Sequence, residues 1–320
     1  MAAALPIDID DIGQAAKRLA GVIHRTPVLT SRTLDEVVGA RVFLKAECFQ
    51  RTGSFKIRGA FNAVASLSRE QRAGGVVAFS SGNHAQGVAK AAALHGIAAT
   101  IVMPLDAPAA KRAATEGYGA TIVTYDRYSE DCEEVGASVV AGRGGTLIPP
   151  FNHPDVMAGQ GTVALELFEQ VESLDTLVVC VGGGGLISGC ATVANEYQPV
   201  RVVGVEPETG DDARQSLRRG EIVTIETPST IADGQQTTAV GPLTFAVMQE
   251  YVDEIVVAND DEIRSTMRFL FERLNVVVEP SGACALAALM AGRVKDPGER
   301  VGVTLSGGNI GFSQFARILG

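Results

Sequence analysis

At 320 residues, 46% hydrophobic and 20% charged, the chain is long enough for about two domains around a substantial core. Its formal net charge of -10, from 27 Lys and Arg against 37 Asp and Glu with no basic run, argues against nucleic acid or an anionic membrane as partner and for a small molecule or a second copy of the chain. The five cysteines, Cys48, Cys132, Cys180, Cys190 and Cys284, form no CxxC pair, so neither a disulfide framework nor a zinc knuckle is expected and a reducing cytoplasm fits.

The N-terminal stretch "MAAALPIDIDDIGQ" has no basic n-region, and no apolar run approaches the roughly 20 residues of a membrane span, so an unexported, non-membrane protein is expected. Short apolar, β-branched runs then follow one another: "RVFLKAE", "VVAFSS", "ATIVMP", "TIVTY", "TLIPP", "TLVVCVG", "VRVVGVEP", "DEIVVAN" and "VGVTLSGG". Helical stretches such as His84–His95, Pro108–Gly117, Ala158–Val171 and Ser281–Ala291 lie between them. This alternation predicts an α/β protein with parallel strands and flanking helices. The number of strands predicts two sheets in two lobes that share a cleft, with no repeat or low-complexity linker between them.

In open α/β sheets, ligands bind beyond the carboxyl ends of the strands. Three Gly- or Ser-rich turns occupy such places: "SSGNHAQG" after "VVAF", "GGGGLISG" after "TLVVCV", and "SGGNIG" after "VGVTL". Gly182–Gly185 lead into a helix, where backbone N–H groups can converge on a phosphate; a merely tight strand-to-helix turn would ask for the same small residues. The turn Ser80–His84 offers two hydroxyls, an amide and backbone donors for a carboxylate, with Ser81 also able to carry a proton; a plain N-cap would account for the serines alone, and His84 alternatively for a packed core histidine. Gly183, Gly185 and Glu206 imitate a dinucleotide fingerprint, but Ser188 stands where its third glycine belongs, so a nicotinamide oxidoreductase is the weaker alternative. Lys56, in "QRTGSFKIRGAFN" between Phe55 and Ile57, is either a surface lysine with a covered stem or a desolvated amine, nucleophilic toward a carbonyl.

In order along the chain, "QRTGSFKIRGAFNAV", "SSGNHAQG", "AGQGT", "VGGGGLISG", "TIADG", "VEPSGACALAA" and "LSGGN" resemble the fold-type II pyridoxal phosphate enzymes. By pattern they are most similar to the serine/threonine dehydratases, serine racemase and the threo-3-hydroxyaspartate ammonia-lyases. The resemblance implies the tryptophan synthase β-like fold, two open twisted sheets with flanking helices. It divides the chain into a large domain of residues 1–65 and 150–320 and a small domain of residues 66–149.

It further implies that Lys56 forms the Schiff base, Phe55 backs the ring, Asn83 bonds the phenolic oxygen, Gly182, Gly183, Gly184, Gly185 and Leu186 hold the phosphate, and Ser306 faces the pyridine nitrogen. Substrate would meet Ser80, Ser81, Gly82, Asn83, His84 and Gly234, with Ser81 as the acid/base opposite Lys56 in racemising relatives. A neutral Ser306 leaves the ring largely unprotonated, which favours prompt β-elimination over transamination.

The reaction so implied removes water from a β-hydroxy amino acid, L-threonine, L-serine or L-threo-3-hydroxyaspartate, to give a 2-oxo acid and ammonia, with serine racemisation as the alternative. "GVEPETGDDARQSLRRG" resembles a divalent-cation loop, with Glu206, Asp212 and the Gly210 carbonyl as oxygen ligands suited to magnesium, calcium or manganese. Solvated loop acids are the alternative there. A homodimer is implied by the family, and the chain ending at Gly320 leads us to expect no regulatory domain. For a second substrate carboxylate the relatives would place an arginine where this chain has Cys132; Arg127 is the candidate replacement, or a solvated surface residue.

Overall fold

The runs "TLVVC" and "ATIVMP" are apolar without alternation and buried along their whole length, as expected of strands covered on both faces. The structure is a computed structural model that describes residues 4–80, 82–107, 109–126, 128–130, 132–197 and 200–320. Its strands are β1 (Val28–Leu29), β2 (Arg41–Ala46), β3 (Val76–Phe79), β4 (Ala99–Pro104), β5 (Thr121–Tyr125), β6 (Thr146–Leu147), β7 (Thr176–Cys180), β8 (Arg201–Pro207), β9 (Glu254–Ala258) and β10 (Arg300–Leu305). They form a six-stranded sheet in the order β1-β2-β10-β7-β8-β9 and a four-stranded sheet in the order β5-β4-β3-β6. All pairings are parallel except β1 with β2.

The nine strands read from the sequence are present, most with trimmed ends and "ATIVMP" and "TIVTY" in full. "VVAFSS" stops at Phe79, and "TLIPP" pairs only at Thr146 and Leu147, since Pro149 and Pro150 have no N–H to give a ladder. β1, two residues long, was not read. The helix expected from Ala158 begins at Pro154, because proline fits the first helical position. Pro108 is outside the described residues, where the helix is Ala109–Gly117. Among the described residues, no helix is long and apolar enough to cross a membrane.

Parallel register brings the carboxyl ends of β2, β10, β7 and β8 to one edge of the larger sheet. The first three lead into the loops that carry Lys56, Ser306 and the glycine run. Lys56 opens the helix Lys56–Ser66, whose Ile57, Ala60, Phe61, Ala63 and Val64 join the apolar core of the four-stranded sheet. On another side this helix touches Pro154–Gln170 backbone to backbone. A Cβ on Gly59 would stand 2.6 Å from the Val156 carbonyl oxygen, and one on Gly159 would stand 2.6 Å from that of Arg58.

The loop before Lys56 is held as firmly. Thr52 has a left-handed backbone at φ 63, and a Cβ on Gly53 would lie 2.2 Å from Asn309 Oδ1. Asn309 Nδ2 donates to the Thr52 carbonyl at 2.6 Å, and the Gly308 N–H donates to that of Gly53 at 2.9 Å. Gly53 and Gly59 therefore flank Lys56 for separate steric reasons.

Behind the lysine lies a buried, charge-balanced network. Arg58 donates to both oxygens of Glu47, to both of Glu166 and to Thr162 Oγ1, at 2.7–3.1 Å. Lys45 Nζ donates to Glu166, Gln170 and the Thr26 carbonyl at 2.6–2.8 Å. Two cations thus face two carboxylates with their donors committed, which is the condition under which such charges can be buried.

Candidate active site

A cleft of about 470 Å³ is lined by Phe55, Lys56, Ser80, Gly82, Asn83, His84, Gly182–Leu186, Gly234 and Ser306, together with residues the sequence did not single out. The structure thus brings together the candidates for cofactor and substrate, apart from Ser81, which lies outside the described residues. Arg127 and the side chain of Cys132 lie outside them too.

Lys56 is open to the cleft but enclosed by protein. Its Nζ donates to the Pro150 carbonyl at 2.9 Å and lies 5.1 Å from the centroid of the Phe55 ring. Burial pushes the amine down from the ordinary lysine range to about 8, offset only in part by Cys180. A substantial fraction is therefore neutral and nucleophilic near physiological pH.

Across the cleft, Asn83 opens the helix Asn83–His95, and its amide orientation is fixed. Nδ2 donates to Glu279 Oε1 at 2.6 Å, and Oδ1 accepts from Asn309 Nδ2 at 2.8 Å. One N–H remains for the cleft. His84 is held differently, with Nε2 2.8 Å from the Ile148 carbonyl. Because that partner can only accept, Nε2 carries the hydrogen. Burial and the neighbouring Lys56 push the ring down to about 3, so His84 is neutral. The Gly82 N–H donates to Ser80 Oγ at 3.1 Å, and that of Gly234 to Ser281 Oγ at 2.9 Å.

The glycine run has a steric cause as well as a chemical one. Cβ atoms on Gly183 and Gly185 would strike Phe151, and one on Gly184, at φ +90, would strike Thr244. The Gly183 carbonyl is turned away, accepting from Thr244 Oγ1 at 2.8 Å. Among the described residues, no protein group accepts from the N–H groups of Gly182–Ile187 at the entry of the helix Gly185–Tyr197. Thr237 Oγ1, buried without a partner, would lie 3.6 Å from a Cβ on Gly182. Free donors at a helix N-terminus beside an orphan hydroxyl fit a phosphate.

Glu206, near the end of β8, and Gly210 and Asp212 just beyond it are not among the residues lining the cleft. Glu206 is fully buried and accepts from the Ala213 and Arg214 N–H groups, each at 2.9 Å, which caps the helix Asp212–Arg219. It is therefore not available to a ribose, and the nicotinamide alternative loses its acidic residue. Among the described residues, neither buried oxygen of Asp212 has a hydrogen-bond partner. Burial pushes Asp212 up, and burial together with Asp212 holds Glu206 well above the usual carboxylate range.

Glu279, Lys111 and Asp233 also line the cleft without having been read as site residues. Glu279 is 3% exposed, and burial with the nearby Asp233 pushes it up to about 8. Glu279 and Asp233 fall inside quoted motifs, "VEPSGACALAA" and "TIADG". Lys111, on an ordinary amphipathic helix, gave no signal.

A Schiff-base-competent lysine, a phosphate cradle and a neutral hydroxyl at the carboxyl ends of a parallel sheet define an enzyme of pyridoxal phosphate chemistry. The chain belongs to the pyridoxal-phosphate dependent enzyme family, whose model matches residues 19–307. It is 51% identical over 310 residues to the L-threo-3-hydroxyaspartate ammonia-lyase of Saccharomyces cerevisiae, covering 97% of this chain and 95% of that one. It is 49% identical to the serine racemase of Schizosaccharomyces pombe, covering 97% and 96%. The solved structure of maize serine racemase superposes with a TM-score of 0.94 at 43% identity, covering 98% of this chain and 96% of that one. The fold is therefore the fold-type II architecture expected.

Proposed function

We propose that the protein is a pyridoxal phosphate-dependent ammonia-lyase that removes water from a β-hydroxy amino acid, L-threo-3-hydroxyaspartate, L-serine or L-threonine, giving a 2-oxo acid and ammonia. The observation that carries this reading is Lys56, an amine held partly neutral by burial, facing a cleft with donors for a phosphate on one wall and for a carboxylate on the other. Pyridoxal phosphate, when bound, supplies an electron-accepting ring that acidifies the α-hydrogen of an amino acid.

This chain's residues do the rest. The N–H groups of Gly182–Leu186 would hold the phosphate, Phe55 would back the ring and the remaining Asn83 N–H would be free for the phenolic oxygen. Ser306, 4% exposed, offers the ring nitrogen a hydroxyl and not a carboxylate, which favours early loss of the β-substituent. The turn with Ser80, Gly82 and His84, with Gly234 opposite, receives the α-carboxylate. Lys56 Nζ takes the α-proton as general base. Ser81, in the acid/base role that the resemblance assigns it, would give the racemisation that similarity to serine racemases favours as the second reading.

Residues 66–149 form the smaller lobe in this reading. Glu206, Asp212 and the Gly210 carbonyl hold a divalent cation, supported by the two orphan oxygens of Asp212, which a hard cation would satisfy. A chelator should then lower the melting temperature, and magnesium, calcium or manganese should restore it. A homodimer is supported by Phe312, 85% exposed and three residues before Phe315 on one helix, whose ring packs on the exposed Phe271. The free thiols of Cys48, Cys180, Cys190 and Cys284 suit the cytoplasm.

The central test is borohydride treatment of the protein with pyridoxal phosphate. It should bleach the cofactor band and leave one phosphopyridoxyl group on the peptide carrying Lys56. Label spread over surface lysines, or none, would contradict the assignment.

A further inference from the structure

Among the described residues, the lysine and arginine side chains that line the cleft are Lys56 and Lys111, and the proposed reaction occupies only the first. Lys111 belongs to the helix between β4 and β5. Its Nζ reaches 2.5 Å from Oδ2 of Asp233, which lies in the 3-10 turn Asp233–Gln235 after β8. The same Nζ lies 3.9 Å from the point where a Cβ on Gly82 would stand. The ammonium therefore borders the turn proposed to receive the α-carboxylate.

The two partners of this ion pair are unequal. The Lys111 side chain is 15% exposed and that of Asp233 is 37%. Asp233 can turn outward into water at little cost, whereas Lys111 is confined to the cleft. A part-exposed ion pair contributes little to stability, but a carboxylate delivered into a drier site makes a stronger charge-assisted bond. Among the described residues, the other charged side chains on the cleft wall are acidic: Asp106, Asp233 itself and Glu279. A second substrate carboxylate would be repelled by Asp233 or Glu279 where ionised, and among the described residues Lys111 is the cation beside them that can meet it.

We propose that Lys111 reads the second carboxylate of a dicarboxylic β-hydroxy amino acid, releasing Asp233 as it binds. This rests on the elimination reading above and adds to it the residue that separates hydroxyaspartate from serine and threonine. A residue that only held the lobes together would show a different pattern. Removing either member of the pair would then weaken the site alike, whereas competition between Asp233 and substrate gives the two members opposite effects.

The test compares holoenzyme with its Lys111→Met and Asp233→Asn variants. Succinate, an inert four-carbon dicarboxylate, is titrated against propionate, reading thermal stabilisation and the cofactor absorbance. The ratio of kcat/KM for L-threo-3-hydroxyaspartate over L-serine is measured beside it. Lys111→Met should weaken succinate binding ~10–100-fold more than propionate binding and lower the selectivity ratio by a similar factor. Asp233→Asn should tighten succinate binding.

Succinate affinity within about threefold of the unmodified protein in Lys111→Met would overturn the proposal. So would weaker succinate binding in both variants, or a loss carried by Arg127→Ala in place of Lys111→Met. If no substrate yields a 2-oxo acid while succinate still responds to Lys111, the elimination reading fails and the carboxylate site stands.

Discussion

Replacing Arg58 by methionine tests whether the buried network behind Lys56 holds the helix Lys56–Ser66 in place. Arg58 and Glu47 are both fully buried, and the guanidinium satisfies four carboxylate contacts and a hydroxyl. Its loss leaves Lys45 alone against Glu47 and Glu166, an uncompensated negative charge in a dry site. Breaking such a pair costs ~3–5 kcal/mol. At ~2–3 °C per kcal/mol for a chain of this size, the melting temperature should fall by roughly 6–15 °C in calorimetry. Adding Glu47→Gln removes the orphaned charge, so the double variant should recover part of the loss, about 1–3 kcal/mol. A shift below about 2 °C for Arg58→Met, or a double variant worse than either single one, would show that the network is not the restraint described here.

Three further outcomes follow from other features. Gly59→Ala places a Cβ 2.6 Å from the Val156 carbonyl and should cost ~1–3 kcal/mol in urea unfolding, whereas Gly13→Ala, with nothing within 4 Å at a half-exposed position of the helix Ile9–Leu19, should be neutral or stabilise by up to ~1 kcal/mol. In the protein stripped of cofactor, Lys56 titrates at about 8, so the rate of pyridoxal phosphate incorporation should reach half its plateau near there. A rate still climbing through about pH 10 would mean an ordinary lysine. The same lowered pKa means that the unfolded chain binds more protons between the folded value of about 8 and the ordinary lysine range, so Lys56→Met should flatten a rise in stability across that window.

The sequence displayed most of the sheet framework because parallel strands buried on both faces are continuous apolar runs, and such runs are visible without knowing their neighbours. The turns after "VVAF", "TLVVCV" and "VGVTL" were visible for a related reason, since glycine and serine mark strand-to-helix turns. Charged residues in the interior were not. Nothing local marks Arg58 and Lys45 as interior; their partner Glu166 lies 108 and 121 positions away. Lys111 and Asp233 are 122 positions apart, and nothing local marks either as part of a pair. The glycine run was read for its phosphate; its packing on Phe151 and Thr244 needed the fold. β1 escaped because two residues carry no periodicity.

The most direct measurement offers the protein, loaded with pyridoxal phosphate and magnesium, L-threo-3-hydroxyaspartate, L-serine and L-threonine in turn, following 2-oxo acid, ammonia and D-amino acid together. The account predicts equimolar 2-oxo acid and ammonia, abolished by Lys56→Ala, with D-isomer the minor product. A D-isomer accumulating faster than the oxo acid, or no oxo acid from any of the three, would contradict it.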